Sequence, residues 1–285
     1  MKKTHRNIPV FIPQEGCPNN CVFCSQRKIT GIDRAAELDT LREEVGHALS
    51  EKDWEETEIA FFGGSFTAID RGRMVSLLSA AYEYVRRGQV SGIRISTRPD
   101  CIDSAKLNYL QRLSQQVFVT VEYGIESTDD EVLRRINRGH DYACARKAVE
   151  ETAAKGIITG AHLIVGLTEE DEKQCEMQAR RISALPLDIL KLHQLQIIKG
   201  TPLAMHYQKH PFHLYSVHEF IRLIGTYIAH LRPNIVLERF VSQSPKDLLL
   251  APQWGLKNHE FTHLLVNYLN KQGIRQGMLH PTTTL

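Results

Sequence analysis

Short apolar runs alternate with longer segments of helical periodicity along this 285-residue chain. The apolar runs include Ile8–Pro13, Glu58–Phe62, Val117–Tyr123 and Ile189–Ile197, and in the segments between them apolar residues recur every three or four positions. Such alternation is typical of repeated β-α units, which fold around a parallel sheet. The sequence therefore predicts an α/β fold, and its length is enough for one large domain or two small ones.

A short loop directly after the first predicted strand carries three cysteines, Cys17, Cys21 and Cys24, in the spacing C-x₃-C-x₂-C. Three thiolates from one loop can hold three irons of a four-iron, four-sulfur cluster, whereas complete ligation takes four thiolates. One iron is then left open to another ligand. The spacing therefore predicts a metal cluster with an open iron at this loop.

Two other interpretations of these cysteines stay open. A structural zinc site normally takes four protein ligands, usually as two separated pairs, and the sequence has no second pair. Three unrelated buried thiols would need no ligand at all. Disulfides are disfavoured among the six cysteines of the chain, because their arrangement is typical of a reducing compartment and no signal peptide precedes them.

The cysteine spacing, with Phe23 directly before the last cysteine, closely resembles the signature of the radical S-adenosylmethionine (radical SAM) superfamily. The resemblance implies that the open iron binds the amino and carboxylate groups of S-adenosylmethionine. It also implies that an electron passed to the sulfonium releases a 5′-deoxyadenosyl radical. In such an enzyme the cofactors supply the chemistry, and the protein supplies position and electrostatics.

Composition says little about partners. Hydrophobic residues make up 42% of the chain and charged residues 24%, both ordinary for a globular protein. The net charge of +2 is too small to indicate a nucleic-acid surface, although it leaves room for a local basic cleft. No apolar run is long enough to span a bilayer. We expect a soluble, cytoplasmic protein with no membrane partner and with loose ends at Met1–Asn7 and Pro281–Leu285.

Polar and glycine residues follow the second and third predicted strands. Gly63, Gly64 and Ser65 end the second strand, where glycines let the backbone approach a ligand closely, although a Gly-Gly pair by itself is most often only a turn. Ser96 ends the third strand, at the sheet edge where sites form, or it belongs to a capping turn before the next helix. All four residues are candidates for contacts with the cofactor.

A carboxylate, Glu122, lies inside the fourth apolar strand. Because an unpaired carboxylate is costly to bury, Glu122 is either paired with a cation or turned inward as a ligand. Arg138 lies at the end of the following helix, where a fixed guanidinium can clamp a carboxylate with two N–H groups. We expect Arg134 and Arg135 on a solvated helix face.

Histidines interrupt the fifth and sixth apolar strands. His162 is either a core residue with satisfied hydrogen bonds, which is the usual case, or a group that bonds ribose hydroxyls of the cofactor. Gly166 and Leu167 form the next turn, where the backbone can approach an adenine ring. Side chains two positions apart on a strand point to the same face, so Lys191 and His193 share one face of the sixth strand. They are the candidate catalytic residues, with His193 as an acid or base.

The rest of the chain resembles the YhcC-like proteins of the radical SAM superfamily. The segments that carry this resemblance are Ile95–Cys101, Ile136–Cys144, Leu190–His193, Lys199–Ala204 and Leu250–Lys257. The short spacing from Cys17 to Cys21 is similar instead to the cluster loops of the elongator catalytic subunit and of the coproporphyrinogen dehydrogenases.

The resemblance implies a fold and a set of site residues. The fold is an α/β, partial (β/α)₆ TIM-type barrel over residues 1–205, with the cluster loop at 17–24, and a C-terminal α/β extension over 206–285 that packs on the barrel and covers it. The implied iron ligands are Cys17, Cys21 and Cys24. The implied contacts with S-adenosylmethionine are Gly63, Gly64 and Ser65 for the amino group, Ser96, Glu122 and Arg138 for the carboxylate and ribose, His162 for the ribose, and Gly166 and Leu167 for the adenine.

The resemblance also implies a function. We expect an oxygen-sensitive radical SAM enzyme with a 4Fe-4S cluster and a one-electron reductant of the flavodoxin or ferredoxin type. We expect its substrate to be the wobble uridine of tRNA, docked against basic residues such as Arg27, Lys28, Lys246 and Lys257. The alternatives are a radical enzyme acting on a small metabolite or a porphyrin, and a module that binds the cluster and cofactor without turnover.

Overall fold

The computed structural model describes residues 5–18, 20–31, 37–51, 56–168 and 171–281. These residues contain nine strands: β1 (His5–Phe11), β2 (Glu56–Phe62), β3 (Gly92–Thr97), β4 (Phe118–Glu126), β5 (Ile158–Val165), β6 (Ile189–Gln194), β7 (Ile197–Ile198), β8 (Val236–Arg239) and β9 (Leu249–Ala251). Residues 1–4 and 282–285 of the predicted loose ends, and Asn19 of the cysteine loop, lie outside the described residues. The loose end predicted at Met1–Asn7 is wrong for residues 5–7, because they belong to β1.

One sheet holds seven of these strands in the order β1-β2-β3-β4-β5-β6-β8. The pairs β1–β2, β2–β3, β3–β4 and β6–β8 are parallel, and β7 pairs with β9 in an antiparallel ribbon. The predicted parallel α/β fold is therefore confirmed. The single strand predicted at Ile189–Ile197 is wrong in extent, because it divides into β6 and β7 after Gln194.

Ten helices connect the strands in the described part of the chain: α1 (Gln26–Thr30), α2 (Leu38–Glu51), α3 (Arg71–Arg86), α4 (Ser104–Ser114), α5 (Asp130–Arg135), α6 (Tyr142–Ala153), α7 (Glu172–Ser183), α8 (Pro202–Lys209), α9 (Val217–His230) and α10 (Asn258–Gln272). Short polar side chains accept a backbone N–H at the start of six of them, which satisfies donors that have no partner inside the helix. These residues are Asp70, Asp103, Asp129, Asp171, Thr201 and Ser216. No helix among the described residues is long and apolar enough to cross a membrane.

The chain forms two compact units. The first comprises residues 1–18, 26–124 and 147–160, and the second comprises 19–25, 125–146 and 161–285. In the second unit, α9 packs on α7, α10 packs on α9, and β8 pairs with β6. The division predicted between residues 205 and 206 stays a prediction.

The core of the first unit consists of apolar residues in register across its strands. Ile59 of β2 is opposite Ile8 of β1 and Ile93 of β3, and all three side chains are completely buried or nearly so. Strands of a parallel sheet are covered on both faces, so they form near-continuous apolar runs. This burial explains why the strands were recognisable in the sequence.

The Gly63–Gly64 turn packs tightly against the backbone that leads into the cysteine loop. The carbonyl of Gly63 accepts from N of Gln14 (2.8 Å). A Cβ added at Gly64 would lie 2.3 Å from the carbonyl oxygen of Ile12 and 2.6 Å from that of Glu15. Only glycine allows two backbone segments to approach this closely.

We therefore expect Gly64→Ala to destabilise the protein by about 1–3 kcal/mol, because the methyl group forces the backbone at Ile12 and Glu15 apart. Gly46→Ala is the matched control, because Gly46 lies on the exposed side of α2 with no atom near the added Cβ, and it should stabilise the helix by up to about 1 kcal/mol. Urea unfolding measures both changes. Equal stability of the two variants would contradict the tight packing at Gly64.

Three charged residues are buried together inside the first unit. Arg94 of β3 donates from Nε to Glu58 of β2 (2.8 Å) and from Nη1 to Glu122 of β4. All three residues are less than a tenth exposed, so one guanidinium neutralises carboxylates from both neighbouring strands.

Removing Arg94 should leave two buried carboxylates without this cation, and we expect Arg94→Met to lower the free energy of unfolding by about 3–5 kcal/mol. Arg87→Met, at an exposed helix end, is the control and should change stability by less than about 0.5 kcal/mol. Adding Glu58→Gln and Glu122→Gln to Arg94→Met should recover part of the loss. A loss that the two glutamines do not reduce would show that packing, rather than charge, is responsible.

Candidate functional site

None of the three cysteines of the loop is in a disulfide, and they belong to different units. Cys17 lies in the first unit and is half-buried, whereas Cys21 and Cys24 lie in the second, with Cys21 buried and Cys24 half-buried. Across the part of the chain that the structure describes, no three His, Cys, Asp or Glu side chains are grouped as metal ligands. The assignment of the three cysteines to iron therefore stays a prediction.

The chemistry of these side chains fits an iron–sulfur cluster. None of the six cysteines is in a disulfide, and Sγ of Cys21 accepts an N–H from Nη1 of Arg138 (3.4 Å). Cluster sulfurs bind iron as thiolates and commonly accept hydrogen bonds from the protein. Cys17, Cys21 and Cys24 are the residues that would hold a cluster.

The predicted amino-group contact, Ser65, belongs to a buried group of hydroxyls in the first unit. Its Oγ lies 3.0 Å from Oγ1 of Thr97 and accepts from N of Arg98 (3.2 Å). Oγ1 of Thr67 is 2.6 Å from Oγ1 of Thr97 and donates to the carbonyl of Cys101 (2.8 Å). These bonds fix the end of β3 beside the Gly63–Gly64 turn. In the sequence, these hydrogen bonds are indicated only by the hydroxyl residues that follow or end two neighbouring strands.

Glu122 is paired with a cation from the neighbouring strand. It pairs with Arg94 on the adjacent strand, and its Oε2 also accepts from Oγ of Ser96 (3.4 Å). Of the two alternatives for this carboxylate, pairing with a cation is the one that the structure shows. The predicted roles of Ser96 and Glu122 in binding the cofactor stay predictions.

His162 of β5 and His193 of β6 contact each other in the second unit. Their ring centroids are 4.3 Å apart and the rings are inclined by 48°. Nη2 of Arg239, on β8, lies 3.4 Å from Nε2 of His162. Lys191 of β6 pairs with Glu238 of β8 (3.3 Å). Two imidazoles and two cations thus lie on three adjacent strands.

Hydrogen bonding defines the tautomer of each imidazole. A guanidinium only donates, so Nε2 of His162 accepts from Arg239 and the ring proton is on Nδ1. Nδ1 of His193 lies 2.9 Å from the carbonyl of Gln194, which only accepts, so this nitrogen carries the proton of His193. Nε2 of His193 therefore carries a lone pair, and no described residue donates a hydrogen bond to it.

Both imidazoles are neutral at physiological pH. Burial, reinforced by the positive charge of Arg239, lowers the pKa of His193 to about 3. Burial also lowers the pKa of His162 well below its ordinary value, with further contributions from His193, Arg239 and Lys191. His193 thus presents a neutral acceptor beside fixed cations.

Sequence reasoning missed several residues of these groups. Arg239 and Glu238 lie on β8, and the local sequence does not show that this strand joins the sheet beside β6. Arg94 was missed because cross-strand register is not visible in local sequence. The expected exposure of Arg134 and Arg135 is confirmed.

Gly166 and Leu167 lie in the second unit, at the end of β5. Gly166 has a left-handed backbone (φ +97°) and lines a small cavity together with Leu195, Tyr215 and Trp254. Leu167 is buried in an apolar cluster that includes residues of α5. Their contact with an adenine ring stays a prediction.

Two family models match the chain. The model described as the radical SAM superfamily matches residues 11–181, and the model described as the radical SAM C-terminal domain matches residues 187–271. The first match alone spans more than half of the chain.

The chain is also similar to individual proteins. It is 28% identical to protein YhcC of Escherichia coli (strain K12) over 273 residues, which are 92% of this chain and 87% of that protein. It is 24% identical over 316 residues to the tRNA uridine(34) acetyltransferase of Methanocaldococcus jannaschii, with 94% of this chain matched and 56% of that protein's length spanned. The solved structure of Methanocaldococcus infernus Elp3 has a TM-score of 0.75 at 17% identity, and the match covers 97% of this chain and 65% of that chain.

These similarities confirm the resemblance to YhcC-like proteins, and the fold shared with Elp3 confirms the predicted partial (β/α)₆ TIM-type barrel class. Radical SAM enzymes use a 4Fe-4S cluster, S-adenosylmethionine and a reductant. This chain belongs to the radical SAM superfamily, and it is an enzyme with those two cofactors.

Proposed function

We propose that this enzyme modifies a uridine of tRNA, most specifically the wobble uridine. The observation that carries the proposal is the neutral His193, whose Nε2 lone pair is open and which lies beside the cation Arg239. The name of the related tRNA uridine(34) acetyltransferase supports the same substrate class.

The histidine group matches the hydrogen-bonding edge of a uracil ring. That edge presents a carbonyl, an N–H and a second carbonyl. Nε2 of His193 is an acceptor for the N–H, and the guanidinium of Arg239 and the ammonium of Lys191 are donors for the carbonyls. Cytosine lacks the ring N–H at this edge, so a site built on a neutral acceptor discriminates against it. In this proposal His193 and Lys191 are the residues that touch the substrate.

The proposed cofactor site uses the residues named from the sequence. Cys17, Cys21 and Cys24 hold three irons. The contacts with S-adenosylmethionine come from Gly63, Gly64, Ser65, Ser96, Glu122, Arg138, His162, Gly166 and Leu167. The bound cluster and S-adenosylmethionine would together supply one-electron cleavage of the C5′–S bond, with methionine as the leaving group and a 5′-deoxyadenosyl radical as the group that abstracts hydrogen.

A tRNA substrate also needs cations to contact its phosphates. The four basic residues named from the sequence, Arg27, Lys28, Lys246 and Lys257, are all exposed. Because a tRNA substrate and cysteines without disulfides are both typical of the cytoplasm, we propose that the enzyme works there and that its reductant is a flavodoxin or a ferredoxin.

The cluster assignment predicts which variants lose cofactor cleavage. After anaerobic reconstitution with iron and sulfide, the wild-type protein with S-adenosylmethionine and dithionite should form 5′-deoxyadenosine, measured by chromatography. Cys17→Ala, Cys21→Ala and Cys24→Ala should each form none, because each removes an iron ligand. Cys175→Ala, which removes a buried thiol of α7, is the control and should retain formation. Full activity in any loop variant would overturn the ligand assignment.

The substrate assignment predicts a change in tRNA. Nucleosides of tRNA from a strain that lacks the gene should lose one modified uridine, detected by mass spectrometry. The wild-type gene should restore it, and His193→Leu should restore less than about a tenth of it, because leucine cannot accept the ring N–H. His259→Gln, which alters an exposed histidine of α10, is the control and should restore it fully.

Two results would contradict the substrate assignment. The first is an unchanged set of tRNA nucleosides in the strain that lacks the gene. The second is full restoration by His193→Leu. This result would show that the enzyme acts on tRNA but that His193 does not recognise the uridine.

A further inference from the structure

The segment Ile136–His140, which follows α5, is bonded to the cysteine loop inside the second unit. The carbonyl of Ile136 accepts from N of Val22 (3.0 Å), and Nδ2 of Asn137 donates to the carbonyl of Asn20 (3.0 Å). Asn137 has a left-handed backbone (φ +54°), which is uncommon for a non-glycine residue and persists where surrounding contacts hold it. This segment therefore fixes the loop on both sides of Cys21.

Arg138 adds a contact with the Cys21 sulfur itself. Nη1 donates to Sγ at 3.4 Å, Nε donates to Nε2 of His140 at 3.1 Å, and Nη2 lies 3.6 Å from Oε1 of Glu126. Nδ1 of His140 donates to the carbonyl of Asp141 (3.1 Å), which leaves Nε2 as the acceptor that Arg138 needs. Arg138 and Glu126 are each 7% exposed. The guanidinium is thus held by three groups, one of which is a predicted iron ligand.

We propose that Arg138 is a positioning residue of the cluster, which holds the Cys21 sulfur and raises the reduction potential of the cluster. Reduction makes a cluster more negative, and a nearby positive charge and an N–H bond to sulfur both stabilise the more negative state. This role is additional to the contact with S-adenosylmethionine that is proposed above for Arg138. The inference rests on the proposed assignment of Cys21 to the cluster.

The test is the reduction potential of the reconstituted cluster, measured by titration followed by electron paramagnetic resonance without S-adenosylmethionine. Omitting S-adenosylmethionine separates an effect on the cluster from an effect on the carboxylate contact. At a fixed applied potential, we expect Arg138→Gln to lower the ratio of reduced to oxidised cluster at least tenfold. For a one-electron couple, a tenfold change corresponds to a reduction potential that is lower by about 59 mV. Arg135→Gln makes the same charge change at an exposed position of α5 and should leave the potential unchanged.

Two further variants keep the proposal testable if Arg138→Gln takes up no cluster. Glu126→Gln removes the negative charge beside the guanidinium, so it should raise the potential. Arg138→Lys keeps the charge but changes the donor geometry, so its potential should lie between those of the wild type and of a neutral variant. Unchanged potentials in Glu126→Gln and Arg138→Lys would overturn the proposal, as would an unchanged potential in Arg138→Gln.

Iron content separates this inference from the assignment on which it rests. A wild-type protein that binds no cluster, or a Cys21→Ala variant that retains full iron content, would defeat the assignment of Cys21. Normal iron content with equal potentials in all variants would defeat only the role of Arg138.

Discussion

The cysteine loop depends on hydrogen bonds from residues that lie far from it in sequence. Within the second unit, the loop residue Val22 donates to the carbonyl of Ile136, and its own carbonyl accepts from N of Leu203. A short loop has few backbone partners of its own, so bonds of this kind decide where its thiols point. The apolar cluster around α5, against which Val22 and Phe23 pack, holds the same residues by burial.

The buried ionisable side chains of the two units differ in whether they carry charge. In the first, Arg94 is paired with the two carboxylates of Glu58 and Glu122, so buried charges neutralise one another. In the second, His162 and His193 stay uncharged beside Arg239. A paired charge stabilises the sheet, whereas a neutral imidazole with an open lone pair is available to a substrate. This physical difference explains why we assign the pairing of Arg94 to the stability of the sheet and His193 to recognition of the substrate.

The sequence was informative where the physical signal is local and uninformative where it is not. Buried strands such as β2 leave a run of apolar residues within a few positions of the sequence. The pairing of Arg94 with Glu122 joins positions 28 apart, and that of Arg239 with His162 joins positions 77 apart. Such contacts depend on strand order and register, which no local pattern contains. The cysteine spacing was a strong signal because the chemistry of the cluster constrains neighbouring residues directly.

The central claim is that Cys17, Cys21 and Cys24 bind three irons of a cluster and leave the fourth open to S-adenosylmethionine. The most direct test is a Mössbauer spectrum of protein reconstituted with isotopically enriched iron, recorded before and after S-adenosylmethionine is added. We predict that one iron in each cluster changes its isomer shift on addition while the other three do not, because thiolates already occupy those three. A cluster in which all four irons are unaffected by S-adenosylmethionine would contradict the claim.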